Sequence, residues 1–116
     1  MRTLILLVTL LTSISAMSQD VIEIEKKEKK ILKKMAKQKA TELQKELNLT
    51  NYTSMAIQKT IFEYSVKANK VIQSGLSEKE KNRSLSNLVY FQNEELKEIL
   101  TVNQFYQYIN LNSNQL

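Results

Sequence analysis

Glu94, Glu95 and Glu98 lie close together in the sequence, and on one helix they would share a surface where paired carboxylates could in principle do acid–base work. They are interleaved with Lys97 and have no histidine beside them, so a solvated, salt-bridged helix surface is the expected reading. The 116-residue chain has no histidine and no cysteine. That removes thiol nucleophiles, disulfide staples, zinc sites and the usual general base of hydrolytic triads. The expectation is a protein that is not an enzyme and takes no cofactor; with histidine absent and the methionines scattered, no metal is expected either. The sequons at Asn48, Asn51 and Asn82 would matter only in a eukaryotic secretory pathway.

A second kind of chemistry is offered by Lys26, Lys27, Lys30, Lys33, Lys34 and Lys37. If each residue advances by about 100°, they fall on one arc of a helix. Seventeen basic against twelve acidic residues leave a net charge of +5. Such a face either keeps a helix solvated or recruits anionic partners, acidic clients or lipid headgroups among them.

The elements that would carry these residues begin with an export signal. Arg2 supplies a positive start, Leu4 to Leu11 a short apolar run, and residues 12–18 a segment of small residues. The run is too short to span a bilayer. Ala16-Met17-Ser18 fits a small-x-small cleavage site, so residues 1–18 are expected to be a signal peptide and 19–116 a single helical domain. The expected destination lies beyond the inner membrane, periplasm or full secretion, which the leader alone does not separate. Export argues against nucleic acid as a partner.

With no proline and only Gly75, the mature chain lacks the turn residues that a sandwich or barrel needs. The predicted fold is all-α, with three to four helices. The first runs from Val21 to Leu47, opened by a capping box at Asp20 and Glu23. Its apolar arc is Ile24, Ile31, Leu32, Met35, Ala36, Leu43 and Leu47, opposite the lysines, with Lys39 intruding on the apolar side. The second runs from Asn51 to about Ser74 with Ile57, Ile61, Tyr64, Ala68 and Val71 inward and Met55, Phe62, Val66 and Ile72 widening that stripe, and Gly75 is expected to close it in a positive-φ conformation. A capping box at Ser77 and Glu80 opens the third, whose apolar positions are Leu85, Leu88, Val89, Leu96, Ile99 and Leu100. The short connector implies a long antiparallel hairpin.

At Thr101-Val102-Asn103-Gln104 the pattern is a capping box in its Gln form, flanked by Leu100 and Phe105 at the positions of a hydrophobic staple. A short terminal helix follows, with the tail 110–116 expected to fray. Leu49 and Thr50 repeat this arrangement about fifty residues earlier, with Thr53 where Gln or Glu would complete the box.

Leu100-Thr101-Val102-Asn103-Gln104 and the reduced copy at Leu49-Thr50 resemble the paired LTxxQ motifs of the Spy/CpxP-like small periplasmic proteins. The resemblance extends to the layout of the mature chain. It implies helices kinked at the Leu-Thr steps, a cradle-like dimer, and an ATP-independent chaperone or envelope-stress role in which non-native clients are held. The motif residues Leu49, Thr50, Leu100, Thr101, Gln104 and Phe105 are expected to shape helix turns, not to touch a ligand. The alternatives are a sensor or adaptor for one folded envelope partner, or a membrane-surface binder acting through the basic helix. A helical chain of this size has little core to share, so a homodimer is expected.

Overall fold

The computed structural model describes residues 2–114, with side chains described over 23–112. Among the described residues the chain is all-α, with four helices and no strand: α1 (Arg2–Leu47), α2 (Asn51–Gln73), α3 (Glu78–Ile99) and α4 (Val102–Asn114). It divides into two compact units, Met1–Ile31 and Leu32–Leu116. The apolar run and the cleavage motif at Ala16 to Ser18 lie outside the described side chains.

The first unit contains only the N-terminal part of α1. Helix runs through Asp20 and does not start there, since nothing between Arg2 and Val21 is glycine or proline. Within this unit Ile24, Lys26, Lys27, Lys30 and Ile31 are exposed.

The second unit is built from the Leu32–Leu47 part of α1 together with α2, α3 and α4. Its core is Leu43, Leu47, Leu49, Ile57, Leu96, Leu100 and Tyr108, with Ile61, Ile99, Phe105, Ile109 and Leu111 packed against it. Ile57 and Leu96 are the largest side chains fully removed from solvent. Every helix contributes to this cluster, which is why such short elements can share one core.

Helix ends are fixed by local chemistry. α1 stops because Asn48 adopts φ 55°, a left-handed conformation that asparagine tolerates better than most residues. The Leu49 amide then donates back to the Gln44 carbonyl at 3.0 Å, the long-range bond of a Schellman ending. Ser77 caps α3, accepting from the Glu80 amide at 3.2 Å. The α2 end departs from expectation: no glycine has positive φ, and Ser74 does the work instead. Its amide donates to the Val71 carbonyl at 3.1 Å and its hydroxyl donates to the same oxygen at 2.6 Å. A side chain that can satisfy an orphan carbonyl makes a left-handed glycine unnecessary. The connector from Ser74 to Ser77 then reverses the chain, and α2 and α3 pack side by side.

The predicted inner face of α1 is corrected. Ala36, Ala40, Leu43 and Leu47 are buried, whereas Ile24, Ile31 and Met35 are 54–58% exposed. The reason is the close approach to α2, where the Ser54 hydroxyl reaches the Ala40 carbonyl at 3.4 Å. Small side chains allow two helices to approach this way and bulky ones do not, so the buried stripe is turned toward Lys33. Helix α4 also continues through the segment expected to fray, as far as Asn114, because Leu111 is anchored against the core.

Candidate binding surface

The two Leu-Thr steps are where the sequence concentrates its motif residues, and both are helix boundaries. At the second, the Gln104 amide donates to Thr101 Oγ1 at 3.2 Å and the Thr101 amide donates to Gln104 Oε1 at 3.1 Å. This is a complete reciprocal capping box. Leu100 is buried and Phe105 packs against the cluster that contains it, as a staple requires. At the first step Thr50 Oγ1 accepts from the Thr53 amide at 3.2 Å, and the Thr50 and Thr53 hydroxyls lie 3.0 Å apart. The missing Gln at position 53 is offset from the preceding helix: Gln44 Nε2 donates to the Leu49 carbonyl at 3.3 Å and to Asn51 Oδ1 at 2.7 Å. Thus Leu49, Thr50, Leu100, Thr101, Gln104 and Phe105 are occupied in capping and packing.

Of the three carboxylates Glu94, Glu95 and Glu98 on α3, two have separate partners. Glu94 pairs with Lys97 at 2.9 Å, and Glu95 accepts the Tyr64 hydroxyl at 2.9 Å. That hydrogen bond, helped by burial and by the charges of Glu95 and Glu63, raises the Tyr64 phenol above its ordinary value. The Glu94 hydrogen bond raises Lys97 in turn. Lys67, further along the same helix, places its ammonium 4.7 Å from the Tyr64 ring centroid, and the Tyr64 hydroxyl alone joins α2 to α3. Among the described residues no group of three or more metal-ligating side chains is placed to hold an ion, and no helix is long and apolar enough to cross a membrane.

Lys26, Lys27, Lys30, Lys33, Lys34 and Lys37 are all exposed. Lys33 does more than face solvent. With Met55, Gln58, Lys59 and Phe62 it lines a groove of about 290 Å³ between α1 and α2. Lys39 is half-buried beside Glu42, Leu43, Glu46 and Leu111, which line a smaller recess of about 200 Å³.

The most distinctive surface is apolar. Val89, Tyr90 and Phe91 on α3 are 53–60% exposed, and Val102 and Tyr106 on α4 are 72% and 63% exposed. Tyr90 and Phe91 meet edge to face, with ring centroids 5.5 Å apart. Lys97 places its ammonium 5.5 Å from the Phe105 ring centroid. On α1 and α2, Met35, Tyr52 and Met55 are 57%, 85% and 71% exposed. The expected inward positions of Val89, Met55 and Ile72 are therefore corrected: α3 turns Leu96 to the core and α2 turns Ile57 and Tyr64 inward, leaving all three outside.

Sequence reasoning missed Asn48, Gln44, Ala40, Ser54 and Thr60. Asn48 carried a usable signal, since asparagine one residue past a helix is a recognised C-terminal stop. Ala40, Ser54 and Thr60 carried little, because small or hydroxylic side chains barely register in a hydrophobic pattern. Compared with protein-family models, curated proteins and solved structures, the chain finds no match.

Proposed function

We propose that this chain is an exported, non-enzymatic binding protein that holds non-native protein segments without ATP, in the manner its LTxxQ-like steps suggest. The observation that carries the reading is the balance of apolar side chains. Among the described residues twelve large apolar or aromatic side chains are exposed, against ten buried hydrophobic ones. Val89, Tyr90 and Phe91 are consecutive, with Tyr90 and Phe91 in contact, and soluble monomers rarely leave large contiguous apolar patches uncovered without a use for them. Aromatic and methionine side chains suit loose, adaptable contacts with unstructured chains.

The exposed lysines add attraction for acidic segments and oppose self-aggregation. Export is supported by the leader pattern in residues 1–18. Self-association into a homodimer would cover part of the apolar surface and leave the remainder for clients. The test is light scattering of a chemically reduced model protein, with the full chain at stoichiometric levels, no ATP, and two salt concentrations. The reading expects suppressed aggregation, weaker at high salt in proportion to the share carried by the lysines. Aggregation that proceeds unchanged at both salts would overturn it.

A further inference from the structure

The groove between α1 and α2 has a composition that general client binding does not require. Its floor and one wall are Phe62, which is half-buried, and Met55, which is 71% exposed. Its cations are Lys33 on α1 and Lys59 on α2, and its only uncharged polar group is the Gln58 amide. No carboxylate lines it, and neither lysine takes part in an ion pair among the described residues. The aliphatic stems of lysine pack well on apolar surface while the ammonium stays in water. The groove thus offers an apolar channel flanked by two unneutralised positive charges.

We propose that this groove binds a single-chain anionic amphiphile, a fatty acid, with its carboxylate between Lys33 and Lys59 and its acyl chain over Met55 and Phe62. Three features favour this occupant over a peptide. The volume of about 290 Å³ is at the lower end of small-molecule sites, roughly 300–1,000 Å³. An extended peptide would bring backbone amides and carbonyls that need partners when desolvated, and Gln58 is the only lining side chain able to serve carbonyl and amide alike. A helical peptide satisfies its own backbone, but a cylinder about 10 Å across exceeds a volume of about 290 Å³ within a single turn. An acyl chain makes no such demand, and the carboxylate at its end answers the charge of the two lysines. This site does not depend on the client-binding reading and goes beyond it.

The experiment is fluorescence titration of the full chain with dansyl-labelled undecanoate below its micelle concentration, followed by competition with laurate, dodecanol and an acidic-apolar peptide. Saturable binding is expected, with laurate displacing the probe roughly tenfold more strongly than dodecanol. The paired change Lys33→Gln with Lys59→Gln, at two exposed positions, should weaken binding roughly three- to tenfold while leaving helicity intact. Met55→Glu, also exposed, should weaken it independently by setting a carboxylate in the channel. Equal displacement by dodecanol, unchanged affinity in both variants, non-saturable uptake, or stronger displacement by the peptide than by laurate would each overturn the proposal. Suppression of client aggregation is measured on the same variants, so failure of this site and failure of the client-binding reading are told apart.

Discussion

Replacing Leu96 by alanine is the sharpest test of how this small core works. Leu96 is 0% exposed and belongs to a cluster that takes Leu43 and Leu47 from α1, Ile57 from α2 and Tyr108 from α4. Burial of this kind makes Leu→Ala cost about 2–5 kcal/mol, the larger values arising where neighbours cannot collapse into the space. Here no single helix can move into the cavity without leaving its contacts with the others, so about 3–4 kcal/mol is expected. Domains of this size hold only about 5–15 kcal/mol in total, so a large fraction of the fold's stability would go. Tm should fall by about 12–30 °C. Val89→Ala on the same helix, at 58% exposure, should cost no more than about 0.5 kcal/mol. Thermal and urea unfolding followed by circular dichroism would measure both, with an unchanged m-value expected for each. A loss below about 1 kcal/mol for Leu96→Ala, or an equal loss for Val89→Ala, would refute this account of which face of α3 is inside.

Two further outcomes follow from the helix ends. Thr101→Ala and Gln104→Ala should each cost about 0.5–1 kcal/mol, because each removes one arm of the reciprocal capping box, and amide exchange should quicken first at the start of α4. Gly75→Ala should stabilise the chain by about 0.4–1 kcal/mol, since Gly75 has no positive φ and an added Cβ would meet open space. Urea midpoints read both effects, and a destabilised Gly75→Ala would restore the left-handed closure expected from the sequence.

The all-α fold was legible because its boundaries are written in local chemistry. Thr50, Ser77 and Thr101 each stand at an N-cap with the next helix beginning one residue on, and N-cap preferences are strong enough to read without tertiary information. What remained hidden was the choice among faces. The α1 pattern favoured bulky Ile31 and Met35, yet the contact with α2 selected Ala36 and Ala40, because interhelical distance is a tertiary property that hydrophobic periodicity does not encode. The groove was illegible for the same reason. Lys33 looked like one member of a solvated row, and only the rotation of α1 sets it beside Met55, Lys59 and Phe62. Gly75 was read as a closing glycine when Ser74 already satisfied the Val71 carbonyl. Glu95 and Glu98 are exposed and Glu94 half-buried on α3, with Glu94 beside Lys97, its neighbour in sequence, and Glu95 held by Tyr64 from α2, a partner that sequence spacing does not reveal.

The central claim, that exposed apolar surface holds non-native chains, is tested most directly by removing part of that surface without touching the core. Val89→Ser, Tyr90→Ser and Phe91→Ser together alter three side chains that are each more than half exposed. Suppression of client aggregation by this variant should be compared with that by the natural chain at equal concentration, alongside their thermal unfolding. The account predicts markedly weaker suppression with Tm nearly unchanged. Equal suppression by the two chains would contradict it.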